Sequence, residues 1–104
     1  MSDKDYVADV KQYTDNVDES KVKSIVNYCG IALRSKDASL VSTSDPSELE
    51  TIKKGFASKK LGLDGDAADA AMGKVAERMK GDRTKERVTF YYLLAEESNT
   101  LDKL

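Results

Sequence analysis

Apolar side chains recur every three or four positions along successive segments of the chain, which is the spacing of one face of an α-helix. This pattern predicts helices over about residues 3–13, 18–30, 45–62, 66–80 and 83–97. We therefore expect an all-α fold, a compact bundle of about five helices that forms a single domain over residues 1–104. In the first four segments the apolar faces consist of Tyr6, Val10, Tyr13, Val22, Ile25, Val26, Cys29, Leu49, Ile52, Phe56, Ala68, Met72, Val75 and Met79.

Polar residues and glycines indicate where these helices begin and end. Asp18 and Asp45 each precede an apolar stripe, where a carboxylate accepts hydrogen bonds from the free amides of the first turn. Pro46 strengthens the second of these starts, because proline fits the first helical position. Gly30 fits the left-handed end of a helix. Residues 31–33 are apolar, however, and would also suit a continuation, so the end of the second helix stays open.

The segment over residues 88–95 is ambiguous, because its residue types suit a strand. A strand needs a partner, only residues 39–43 could offer one, and an isolated two-stranded pair is marginal. We therefore predict a helix that is apolar around most of its circumference, and such a helix lies at the centre of the fold or is shared with a partner. The candidate partner interface, which includes one between two copies of the chain, consists of Phe90, Tyr91, Tyr92 and Leu94. The alternative is that these side chains fill the core.

The charges nearly balance, since 17 basic and 19 acidic residues give a formal net charge of −2. This excludes a strong overall attraction to nucleic acid or anionic lipid, but it does not exclude a local basic patch. Acidic residues interrupt the basic ones, and a run of charges is more often a solvated face than a binding site. The candidate patch for anions or nucleic acid consists of Lys53, Lys54, Lys59, Lys60, Arg83 and Arg87.

Residues that commonly carry chemistry are scarce. Histidine is absent, and with it the commonest general base near neutral pH and the commonest metal ligand. Cys29 continues an apolar stripe, which favours a buried thiol over a nucleophile. Asp64, Asp66 and Asp69 lack the ligand and glycine positions of a calcium-binding loop, so we expect them to cap a helix. No catalytic residue, metal ligand or cofactor is predicted.

Three features favour a cytoplasmic protein. A single cysteine excludes an intrachain disulfide and suits a reducing compartment. Residues 1–5 are acidic and polar, unlike a signal peptide. The longest apolar run, residues 90–95, is far shorter than the roughly 20 residues of a membrane span.

Two blocks of sequence carry a resemblance to a known family. The first is residues 29–34 with the segments 39–41, 44–45 and 47–49, and the second is residues 87–96 with the ending 101–104. Together they resemble domain-of-unknown-function family 2853, a family of small bacterial proteins. The resemblance implies a compact all-helical protein. It implies no activity, cofactor or site residue.

The sequence therefore does not identify a function, although it favours one class of protein. A small non-enzymatic cytoplasmic interaction protein, which binds another protein or a second copy of itself, fits these observations best. The alternative is weak binding of nucleic acid through the lysine and arginine clusters. An enzyme would need a pair of carboxylates or lysines in a cleft, which the sequence does not locate.

Overall fold

Helices account for nearly all the regular structure of the described residues. The computed structural model describes residues 6–15, 17–30, 39–81 and 85–104, and no strand occurs among them. The all-α prediction is confirmed. The elements are α1 (Tyr6–Lys11), α2 (Glu19–Cys29), α3 (Pro46–Ile52), a π-helix (Lys53–Lys60) that continues α3, α4 (Gly65–Arg78), α5 (Arg87–Glu97) and a final 3₁₀ turn (Leu101–Lys103).

Aspartates start α2, α3 and α4. The side chains of Asp18 and Asp45 accept hydrogen bonds from backbone amides two residues ahead, at 3.0 and 2.9 Å. A serine hydroxyl also donates to each carboxylate, and these bonds lower the pKa of both aspartates. Asp64 caps α4 through the amide of Ala67 at 2.7 Å, so this helix begins at Gly65, slightly earlier than expected. The caps predicted at Asp18 and Asp45 are confirmed.

Helix α5 lies at the centre of the molecule. All eight residues from 88 to 95 are buried, and α1, α2, α4 and the π-helix all pack against α5. The prediction of a helix here is confirmed. The helix begins at Arg87 and not near residue 83, because Lys85 and Glu86 are extended beside the segment 39–41. Two backbone hydrogen bonds of 2.8 Å, Val41 to Lys85 and Arg87 to Ser39, hold this single bridge.

The third predicted helix changes type at Lys53 and becomes a π-helix, which the sequence reasoning did not anticipate. Its hydrogen bonds join residues five apart, as in the 3.0 Å bond from the amide of Leu61 to the carbonyl of Phe56. Side chains four and five apart therefore share a face, and Ile52, Phe56, Ala57 and Leu61 all lie in the core. An α-helix would carry Ala57 and Leu61 away from that face. The left-handed Gly62 follows, with φ of 71°.

Polar contacts that are partly or fully buried tie the outer helices to α5. The hydroxyl of Thr89 donates to the carboxylate of Asp9 on α1, and the amide of Asp18 donates to the hydroxyl of Tyr92 at 3.0 Å. Arg78 on α4 reaches the carboxylates of Glu96 and Glu97 at 2.9 and 3.0 Å. Partners for these groups offset the cost of removing them from water.

The described helices are short relative to a lipid bilayer. The central helix α5 has 11 residues. Within the part of the chain that the structure describes, no helix combines the length and the apolar character needed to cross a membrane.

Candidate functional site

The four residues of the candidate partner interface lie inside the chain's own core. Phe90, Tyr92 and Leu94 are 0% exposed and Tyr91 is 6% exposed. Their apolar area is already covered by helices of the same chain. The sequence pattern that suggested a shared helix is therefore accounted for by burial within one copy.

The candidate basic patch is divided among different environments. Lys53 pairs with Asp69 at 3.2 Å, and Lys54 pairs with Glu50 at 3.4 Å. The other two lysines, Lys59 and Lys60, end the π-helix, and neither is buried. Arg83 lies outside the described residues. Arg87 turns inward from the start of α5.

Arg87 connects three segments of the chain. Its guanidinium donates to the carboxylate of Glu48, to the carbonyl of Leu40 at 3.3 Å and to the hydroxyl of Tyr91 at 2.9 Å. The side chain is only 12% exposed. Burial opposes its charge, but Tyr91 and Glu48 outweigh this effect and raise the pKa of Arg87, so the guanidinium stays charged. This arrangement fixes α3 against α5 and supplies no mobile proton.

Three aromatic rings form a cluster beside Arg87, which we call the ring stack: Tyr28, Phe56 and Tyr91. The rings of Phe56 and Tyr91 are stacked with centroids 4.1 Å apart, and the rings of Tyr28 and Phe56 meet edge to face with centroids 5.3 Å apart. Arg87 lies 5.6 Å from the centre of the Tyr91 ring, within the range of a cation–π contact. Tyr28 is 45% exposed, and no other large hydrophobic side chain in the described parts of the chain is classed as exposed. The ring stack therefore runs from the core to the surface.

Cys29 lies next to the ring stack but is poorly suited to nucleophilic chemistry. Burial raises the pKa of its thiol to about 11, and the charge of Arg87 only partly opposes this. At neutral pH the thiol is therefore protonated, and the thiolate is the reactive form. Packing at the edge of the core explains Cys29, as its place in the apolar stripe predicts.

Acidic side chains near the start of α4 serve structural roles. Asp64 caps the helix, and Asp69 pairs with Lys53. Across the described ranges, no group of three histidine, cysteine or acidic residues is placed to hold a metal ion. The prediction that an aspartate here caps the helix is confirmed for Asp64, whereas Asp69 pairs with Lys53.

A groove runs between α1 and α2. Both helices pack on α5 and contact each other only slightly, which leaves a space of about 420 Å³ between them. Four apolar and three polar side chains line this groove: Tyr6, Val7, Val22 and Val26, and Glu19, Ser20 and Lys23. An apolar floor with a few polar groups at its rim is typical of binding sites of this size.

Comparison with known proteins places the chain in a family. The family model described as "Protein of unknown function (DUF2853)" matches residues 5–102, nearly the whole chain. The chain belongs to the DUF2853 family. A search of curated proteins found no match. The description of DUF2853 names no activity, so a function has to be argued from the surfaces of this member.

The groove and the ring stack of this DUF2853 member were both missed by the sequence reasoning. Val7 stands outside the stripe of α1, and a groove depends on the angle between two helices, which spacing along one helix does not define. Tyr28 likewise lies off the apolar face of α2. In both cases the signal in the sequence was one apolar residue, Val7 or Tyr28, that lies beside the apolar stripe of its helix.

Proposed function

We propose that this chain is a non-enzymatic cytoplasmic interaction protein that binds a segment of a protein partner in the groove between α1 and α2. The apolar floor of the groove is the observation that carries the proposal. Val7 and Val26 are partly exposed there, at the edge of the core. A partner that buries these side chains gains about 25 cal/mol for each Å² of apolar surface removed from water.

The rim supplies polar contacts that would orient the partner. Glu19 and Lys23 are exposed on one side of α2, four positions apart, and Ser20 lies between them. Apolar side chains of the partner would fill the floor, and its charged groups would meet these two residues. A cytoplasmic location is supported by the single cysteine, whose protonated thiol is stable in a reducing compartment.

Site-specific photo-crosslinking tests this proposal. A benzophenone amino acid replaces Lys23 at the rim of the groove, and the chain is expressed in the cells that naturally make it. We expect a cross-link to one distinct protein, which is a second copy of the chain if the partner is the chain itself. Val26→Glu places a charge on the apolar floor and should abolish this product.

Matched controls make the experiment specific to the groove. Ala70 is exposed on α4, so the benzophenone at position 70 should give no such product, and Ala70→Glu should leave the Lys23 product unchanged. The same product from both positions, or a Lys23 product that survives Val26→Glu, would contradict binding in the groove. The absence of any cross-linked product from position 23 would also contradict binding in the groove.

A further inference from the structure

We propose that Tyr28 and the outward lysines of the π-helix form a second surface, which binds single-stranded nucleic acid. In this arrangement a base stacks on the ring of Tyr28, and the neighbouring phosphates contact Lys54, Lys59 and Lys60. This surface is separate from the groove, because Tyr28 packs on the π-helix and the groove is lined by α1 and the opposite side of α2.

The ring of Tyr28 is both exposed and fixed. It is 45% exposed, and it packs in an edge-to-face contact with Phe56, which is itself stacked on Tyr91. A ring that is already held in place loses little conformational freedom when a base stacks on it. Stacking on aromatic rings is the main sequence-tolerant contact that proteins make with single strands.

The π-helix brings lysines together that an α-helix would separate. Lys54 and Lys59 are five positions apart, so in a π-helix they lie one above the other on the outer face. Gly55 and Ser58, which are small, lie between them, and the space beside Gly55 is open. These small residues leave room for a phosphate beside the lysines.

Lys60 lies between the ring stack and the two lysines of the outer face, since it directly follows Lys59 in the π-helix. Lys60 follows Phe56 by four positions, so it lies on the side of the π-helix that carries the ring stack. Tyr28 contacts Phe56 from α2. A base on Tyr28 and a phosphate at Lys60 would thus be neighbours along one strand.

The charges of these lysines are available to a ligand. Among the described residues, no carboxylate lies within 4 Å of the ammonium of Lys59 or Lys60. Lys54 is paired with Glu50 at 3.4 Å, but both side chains are well exposed, and surface pairs of this kind contribute little. Lys53 is held by Asp69, so it is not included in the surface.

A single strand fits this surface better than a duplex. The bases of a duplex are stacked on each other and do not expose a face to Tyr28, whereas unpaired bases do. The net charge of −2 also argues against the broad electrostatic attraction that duplex binding needs. With three phosphate contacts, log K should fall with log salt with a slope of about −2.

Fluorescence anisotropy with a labelled oligothymidylate at low salt tests the proposal on the full chain. Tyr28→Ala should weaken binding about tenfold, and Tyr28→Phe should bind like the wild type because it keeps the ring. The double variant Lys59→Gln with Lys60→Gln should weaken binding and reduce the salt slope by about 1.4. The matched control, Lys11→Gln with Lys103→Gln, removes the same charge from exposed sites on α1 and the 3₁₀ turn and should retain affinity.

Circular dichroism first verifies that each variant is folded. Tyr28→Leu keeps an apolar contact on Phe56 without an aromatic face, so it replaces Tyr28→Ala if the alanine variant unfolds. The proposal would be overturned if the wild type did not bind the oligonucleotide at low salt. It would also be overturned if the two double lysine variants lost equal affinity, or if replacing Tyr28 by alanine or leucine left the affinity unchanged. Equal affinity for a duplex, or for a polyphosphate that has no bases, would also overturn it.

Discussion

At the scale of single residues, the hydrogen bond between Thr89 and Asp9 shows how α5 stays buried although it carries polar atoms. Thr89 is fully buried, and its hydroxyl donates to the half-buried carboxylate of Asp9 on α1. The sequence did not indicate this contact, because the two residues are 80 positions apart. The caps at Asp18 and Asp45 were predictable, since donor and acceptor are neighbours in the chain.

Thr89→Val keeps the shape of the side chain and removes its hydroxyl. We expect this change to destabilise the protein by about 1–2 kcal/mol, because a partly buried carboxylate loses a hydrogen-bond donor. Urea denaturation measures the change in the free energy of unfolding. Thr51→Val is the matched control, since the hydroxyl of Thr51 donates to a backbone carbonyl at the surface of α3. If the two variants lost equal free energy of unfolding, the bond to Asp9 would contribute no more than the exposed bond of Thr51.

At the scale of elements, the pattern of apolar positions predicted each long helix of the described residues but not the change from α-helix to π-helix at Lys53. Ile52, Phe56, Ala57 and Leu61 are spaced by four, one and four, which fits a π-helix and drifts around an α-helix. The sequence reasoning considered only an α-helix for this segment and so missed the π-helix. For α5, the pattern indicated burial on most sides, but spacing alone does not say which molecule covers the helix.

Alanine substitutions test whether α5 is covered all around. Leu93 and Leu94 are adjacent and point about 100° apart, and both are 0% exposed. Leu93→Ala and Leu94→Ala should each reduce the free energy of unfolding by about 2–5 kcal/mol. Leu49→Ala, at a partly buried position of α3, should cost less. A small effect at either position 93 or 94 would show that one side of α5 is open.

At the scale of the whole molecule, the two surfaces proposed for interaction lie apart from the helix that forms the centre of the core. The apolar side chains of α5 are buried in the core. The radius of gyration of 12.3 Å is that of a compact chain of this length. The groove and the surface of Tyr28 with the π-helix lie outside α5 and expose apolar or basic side chains. The sequence could not locate these two surfaces, because each combines residues from separate helices.

Native-state hydrogen exchange of the amides of residues 90–95 tests most directly whether one copy of the chain buries α5 by itself. We expect these amides to be among the slowest in the protein, to exchange only through global unfolding, and to keep their protection when the protein is diluted. If a second copy covers α5 instead, dilution shifts the equilibrium toward free chains, and exchange at these amides becomes faster. Protection that falls on dilution, or fast exchange in α5 at any concentration, would contradict the account.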